Sequence, residues 1–381
     1  MPYSLGIWAR GFAHGLTRPG RLRRTGFTLT VFGLWSVIRI VVALGRAVDH
    51  VLFPAFRRRA IERPVFVVGS PRSGTTFLHG LLALDEARFS SLRLYETLLP
   101  SIALCRLVEI GGAVDRRLGR PLGRAAVAIQ RRVFGGWQGI HETALARHEE
   151  PEGLWALRMM TPAVYLLFPF FDELPELSSL EAVRGDRARR AAIRFYVGSL
   201  RRHLYLADRR TPGRTLLVKT VLFPSRLRAV CSALPDIRFV QLVRDPRRTI
   251  PSALSMLTAP WKAHSPRMVG ATPETRMFAN VLLDGIAAYA AARDRTPAER
   301  WLTLSFEDLV ADPGATVERV YDFLGLVSDS ALNERRERAA EEARRTTRAH
   351  SYSLADFGLS AADIEDAASR AMFESVHRGA S

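Results

Sequence analysis

The segment PVFVVGSPRSGTTFLH, residues 64–79, limits the folds open to this chain more than any other stretch. Val65–Val68 is a short, unbroken apolar run rich in β-branched side chains, the pattern of a strand buried on both faces. The run stops at Gly69-Ser70-Pro71-Arg72-Ser73-Gly74, and Thr75–Leu84 then reads as a helix. Strand, tight loop and helix in direct succession aim backbone N–H groups and the positive end of a helix at one point, where an anion is favoured. Ser70, Ser73 and Gly74 are small enough for the backbone to come close. Thr75 and Thr76 add hydroxyl donors at the helix start, and Arg72 adds a permanently charged fork. The spacing is almost that of the phosphate loop G-x-x-x-x-G-K-[ST], but Thr75 stands where the lysine belongs.

Three more short apolar runs follow: TLLVK at 215–219, IRFVQLV at 237–243 and RWLTLSF at 300–306. Helical patterns at 101–134, 151–168 and 185–207 lie between the first run and TLLVK, another follows the Arg-Asp-Pro after IRFVQLV, one at about 314–324 follows RWLTLSF, and the Arg- and Glu-rich stretch 333–350 reads as a solvated helix. Strands alternating with helices predict an α/β fold: a central, mainly parallel sheet flanked by helices in three layers. Ligands of such sheets gather beyond the carboxyl ends of the strands. Lys219 and Arg244 close two of the runs and are therefore expected to face the loop.

The chain has 381 residues, 48% of them hydrophobic, which is enough for a substantial core and argues against disorder. Its formal net charge of +17 favours anionic partners: nucleotides, nucleic acid or an anionic membrane surface. No RNA-binding or helix-turn-helix signature accompanies that charge, so nucleic acid is not the expected partner. Only Lys219 and Lys262 are lysines; in so arginine-rich a chain, a lysine points to a place that needs a compact ammonium. Cys105 and Cys231 lie in no disulfide or zinc spacing, and a reducing, cytoplasmic compartment is the expectation.

Residues 27–45, FTLTVFGLWSVIRIVVALG, form an N-terminal hydrophobic helix just long enough to span a bilayer. Arg39 sits within it, however, and arginines flank both ends, so neither insertion nor orientation is well specified. The favoured reading is a membrane-surface or re-entrant helix at the inner membrane; a true span and a helix packed into the core are the alternatives. On this reading residues 1–60 form a basic, membrane-associating segment and 61–381 the catalytic domain.

Metal-dependent nucleotide hydrolysis needs the loop lysine and an acid at the end of a neighbouring strand to hold Mg²⁺. Here the strand 237–243 runs into Arg244, and Asp245 before Pro246 suits a helix cap as well as a metal ligand. A nucleotide kinase or NTPase with a degenerate loop is therefore the second reading, not the first.

VFVVGSPRSGTTFLHGLLALD resembles the 5′-phosphosulfate loop of the sulfotransferases that use 3′-phosphoadenosine 5′-phosphosulfate (PAPS), in particular the bacterial branch with a PRSGTT core. VRDPRRTIPSALSM, residues 243–256, resembles that family's second motif, and LLVKTVLFPSRLRAVCSALPDIRFVQLVRDP its lead-in. HEEPEGLWAL (148–157) and HSYSLADFGLS (350–360) are similar to weaker signatures of the family. The resemblance covers roughly residues 60–360 and implies a P-loop-like fold.

It also implies roles. Ser70, Pro71, Arg72, Ser73, Gly74, Thr75 and Thr76 would hold the 5′-phosphosulfate. Arg244 and Ser252, two helical turns apart, would hold the 3′-phosphate. Lys219 and Arg72 would stabilise charge on the leaving adenosine 3′,5′-bisphosphate. The sulfuryl group would pass in line to a hydroxyl, or an amine, of a lipid, glycan or small-molecule acceptor, with no metal required. Glu96 resembles the glutamate that follows PRSGTT in tyrosylprotein sulfotransferases and is the favoured general base. His79, His141 and His148 are the other candidates. His79 suits a hydrogen-bonded core position, and His141 and His148 precede an acidic run, Glu149-Glu150-Pro151-Glu152, that reads as a helix cap or a lid over the acceptor.

Overall fold

The computed structural model describes residues 2–17, 21–121, 123–124, 148–180, 182–183, 185–222, 224–346 and 352–365. Five strands form one sheet: β1 Val65–Gly69, β2 Phe89–Ser90, β3 Thr215–Thr220, β4 Arg238–Val243 and β5 Trp301–Ser305. Their order is β2-β3-β1-β4-β5, and every neighbouring pair is parallel. The first apolar run is thus the centre of the sheet, with Val67 opposite Lys219 on one side and Val240 on the other.

Alternation along β1 explains why its run is apolar throughout. Phe66 and Val68 face one core together with Val218 and Phe239, whereas Val65 and Val67 face a second core together with Leu217 and Val240. Leu78, Leu81 and Leu82 of the helix after the loop fill that second core. Helices thus cover both faces, the three layers expected. The edge strand β2 went unforeseen because two residues carry no periodicity.

Two other stretches differ from expectation. Residues 151–168 are not one helix but a short α-helix, Glu152–Ala156, and a 3-10 turn, Pro162–Leu166. Met159 lies between them at φ 53°, a left-handed conformation that no α-helix continues through. The charged helix Ser330–Thr346 is solvated on one side only; Leu332, Arg336 and Ala340 are buried.

At the N-terminus, α1 (Pro2–Thr17) and α2 (Arg21–Leu52) pack against each other, and α2 extends beyond the 27–45 core of the hydrophobic stretch. Ile7 and Phe32 join the main core. α2 also abuts the helix Ile102–Arg117. There the fully buried Asp49 accepts from the N–H groups of Ile102 (3.0 Å) and Ala103 (2.9 Å) and from Ser101 Oγ (3.0 Å). Arg202 Nε lies 2.7 Å from the same carboxylate. The carboxylate answers the free donors at a helix start, and Arg202 compensates its charge.

Candidate active site

The loop between β1 and its helix closes on itself: Ser73 N and Oγ both donate to the Ser70 carbonyl, at 3.2 and 2.7 Å. Two glycines permit this. A Cβ at Gly69 would stand 2.5 Å from the Leu242 carbonyl, and Gly74 adopts φ 89° with Phe306 so close that a Cβ would lie 2.8 Å from its ring. Arg72 is also left-handed, at φ 70°, an arrangement that costs a non-glycine residue roughly 1–3 kcal/mol. Other contacts hold it there. Arg244 Nη1 donates to the Arg72 carbonyl (3.0 Å), and Arg72 Nε donates to Ser252 Oγ (3.2 Å).

Arg72, Arg244 and Ser252 are thus one cluster. Asp245 caps the helix Pro246–Thr258 by accepting from Arg247 N (2.9 Å), which starts the helix that carries Ser252. The Arg244 guanidinium lies 3.9 Å from the centre of the Phe306 ring. Burial pulls its pKa down from the ordinary arginine value. Among the described residues neither Arg72 nor Arg244 makes an ion pair.

The other side of the loop is built differently. Lys219, at 2% exposure, projects from the end of β3 and donates to Thr76 Oγ1 (3.0 Å). Its Nζ also lies 3.0 Å from Glu150 Oε1. Glu150 Oε2 in turn accepts from Val221 N (3.4 Å). Next to it, Glu152 Oε1 accepts from Thr220 Oγ1 (3.2 Å) and Arg226 Nη2 (2.8 Å), which fixes the HEEPEG segment against the end of β3. Burial pushes the Glu152 carboxyl up despite Arg226.

Glu96 sits elsewhere in the bonding pattern. It lies in the first turn of the helix Leu94–Leu98, with Oε2 accepting from Arg93 N (2.7 Å) and Oε1 3.0 Å from His203 Nδ1. Burial raises its pKa, but His203 and the Arg93 amide outweigh that and hold it below the ordinary value. Both oxygens are engaged, and no described hydrogen bond joins Glu96 to the loop or to Lys219. His79 is buried, and desolvation, Lys219 and His148 hold its pKa well below 6.5, so it is neutral. Its ring lies 6.1 Å from that of His148. His141 lies outside the described residues.

Among the described residues, the buried atoms Ser70 Oγ, Arg244 Nε and Thr249 Oγ1 find no hydrogen-bond partner. Orphaned donors are costly when buried, and those at Ser70 and Arg244 lie beside the loop, where anionic oxygens would satisfy them. A cavity of about 470 Å³, lined by Asp312, Glu318 and Arg336 among others, shares no residue with this site.

Sequence reasoning missed two members. Phe306 was read as the end of a strand but begins a helix, touching both Gly74 and Arg244. Glu150 was read as part of a cap or lid; its signal was the acidic run itself, beside a strand end that carried one of two lysines.

Comparison with known proteins agrees with this geometry. Residues 64–330 match the model of the sulfotransferase family. The omega-hydroxy-beta-dihydromenaquinone-9 sulfotransferases Stf3 of Mycobacterium bovis and Mycobacterium tuberculosis are each 24% identical over 300 residues, covering 77% of this chain and 68% of theirs. Sulfotransferase STF1 of Mycobacterium tuberculosis H37Rv has the same fold, with a TM-score of 0.71 and 24% identity over 98% of this chain and 92% of that one. STF9 of Mycobacterium avium superposes with a TM-score of 0.72 at 17% identity, over 98% and 91% of the two chains. With a family match across most of the chain, and a phosphate-type loop whose ammonium comes from a neighbouring strand, this protein belongs to the sulfotransferase family and is a sulfuryl-transferring enzyme.

Proposed function

We propose that the protein transfers a sulfuryl group from PAPS to a hydroxyl of a lipid-like acceptor, with Glu150 as the general base. The observation that carries this reading is the contact of Lys219 with both Thr76 and Glu150 at the loop. Loop amides, Ser70, Ser73, Thr75 and Thr76 would hold the 5′-phosphosulfate, and Arg72, Arg244 and Ser252 the phosphates of the nucleotide. Glu150 takes the acceptor's proton as the new O–S bond forms. The bond from sulfur to the phosphate oxygen breaks, and Lys219 stabilises the charge left on that oxygen. Glu150 is preferred to Glu96 because its carboxylate touches Lys219 at the transferring side of the loop, whereas no described hydrogen bond joins Glu96 to the loop or to Lys219.

The relative Stf3 acts on a dihydromenaquinone, and α2 contains within Arg24–Leu52 a stretch apolar enough to enter a membrane. Both support a membrane-borne acceptor reached from the cytoplasmic side, where the donor would be available. Incubation with sulfur-labelled PAPS and a total lipid and glycan extract tests the proposal. A labelled sulfate ester in the lipid fraction is expected; Mg²⁺-dependent ATP turnover with no labelled product would overturn it in favour of a kinase or NTPase.

A further inference from the structure

The reaction leaves unused the apolar side chains that α2 presents to solvent. Val37 (58% exposed), Ile40 (61%), Leu44 (64%) and Val51 (77%) recur at helical spacing, so they share one face for about 21 Å of helix. The neighbouring helix Ile102–Arg117 adds Leu107 (63%) and Ile110 (56%). The two helices meet where a Cβ on Gly45 would stand 2.7 Å from Leu104, so their exposed sides belong to one surface. An uncovered apolar surface of this extent marks an interaction site.

The opposite side of α2 decides how that surface is used. Phe32, Val42 and Asp49 are buried there. Arg46 donates to the Pro100 carbonyl (3.0 Å) and to Ser199 Oγ (2.9 Å), and Asp49 is bound to Arg202 and to the start of the next helix. A helix crossing the bilayer would abandon all of these contacts and strand Asp49 and Arg202 without partners. Charge selects the occupant. Residues 21–59 contain eight arginines and a single acid, the buried Asp49. A second copy would bring like charge against like, whereas anionic headgroups complement it.

We propose that the joined apolar faces of α2 and the helix Ile102–Arg117 form a docking surface that seats the enzyme on an anionic bilayer without crossing it; this rests on the reading of a membrane-borne acceptor. α2 then lies in the interface, its apolar face in the acyl boundary and its other face on the catalytic domain.

Flotation of the full-length protein with preformed vesicles of phosphatidylcholine, with and without phosphatidylglycerol, tests the surface. The wild type is expected to bind from detergent-free buffer, more tightly to anionic vesicles, and less so in high salt. Leu44→Asp with Ile110→Asp is expected to weaken binding about tenfold or more, while the control Val327→Asp, exposed elsewhere, leaves it unchanged. Melting temperature and adenosine 3′,5′-bisphosphate binding, unchanged in the double variant, show that it is folded. Should that variant misfold, Leu44→Trp supplies a second readout: brominated acyl chains are expected to quench its added emission. Equal binding by wild type and double variant overturns the proposal, as does a Leu44→Trp protein whose added emission the brominated chains leave unquenched. So does a dimer broken by the double variant with no vesicle binding, or association only on insertion from detergent. Labelling of lipids in detergent by an enzyme that ignores vesicles would remove the docking surface and leave the acceptor reading. Vesicle binding with label confined to soluble compounds would do the reverse.

Discussion

The two sides of the anion loop carry positive charge in contrasting ways. On the β3 side a single ammonium, Lys219, is buried at 2% exposure and set against a carboxylate, Glu150. On the β4 side are two guanidiniums with no ion-pair partner among the described residues: Arg72, which donates to Ser252, and Arg244, which donates to the Arg72 carbonyl and lies over the Phe306 ring. A charge already balanced by a carboxylate adds little to ground-state anion binding. Its value lies in what happens when the proton and the leaving group move. Unbalanced guanidiniums suit a phosphate that is held through binding and transfer alike. In the function proposed above, chemistry belongs to the β3 side and grip to the β4 side.

The largest effect is expected on the chemical side. Lys219→Ala should lower kcat about 100- to 1,000-fold while the KM for the donor changes little. Steady-state kinetics decide it, and turnover within about tenfold of the wild type would dissolve the contrast. Glu150→Gln keeps the shape and removes the proton acceptor; kcat should fall about 100-fold. Glu96→Gln in the same assay should cost less turnover and more stability, because it weakens the contact with His203. If the two glutamates exchange these effects, Glu96 is the base.

Smaller effects belong to the grip. Arg244→Ala should weaken adenosine 3′,5′-bisphosphate binding about 10- to 100-fold, the worth of a hydrogen bond to a charged group, and Ser252→Ala about three- to tenfold. Calorimetric titration should show these losses for the 3′-phosphorylated nucleotide but not for its 3′-dephospho analogue. Equal loss with both would detach this side from the 3′-phosphate.

The smallest effect concerns pH. His79 is held neutral in the fold, its pKa well below the 6.5 expected of an exposed histidine. Below pH 6.5 the unfolded chain therefore takes up a proton that the folded chain refuses, so stability falls as pH falls, by up to about 1.4 kcal/mol per unit. Melting curves at pH 7 and pH 5.5 should show a shallower drop for His79→Phe than for the wild type. An unchanged drop would mean that His79 charges within the fold.

Most of the β4 side was legible in the sequence, because local rules dictate it. A strand, a glycine loop and a helix follow one another, and Arg244 stands between the end of β4 and the helix that carries Ser252. The sheet's central strands were legible for the same reason: β1 and β4 are buried on both faces and so read as apolar runs. The pairing of Lys219 with Glu150 was not, since it joins residues 69 positions apart through an acidic segment that also fits an ordinary helix start. Nor were the surroundings of Glu96, which depend on His203, more than 100 residues away. Phe306 was hidden by one position of strand boundary, the least certain feature of any such reading. For α2, composition showed the apolar face, but only tertiary contacts at Asp49 and Arg46 fix the face that turns inward.

Single-turnover transfer at saturating donor tests the division between the two sides most directly. Saturation cancels a loss of grip but not a loss of chemistry. Arg244→Ala is predicted to recover a rate within about threefold of the wild type, while Lys219→Ala stays about 100-fold or more below it. An Arg244→Ala enzyme that remains as slow as Lys219→Ala when saturated, or a Lys219→Ala enzyme that recovers, would contradict the account.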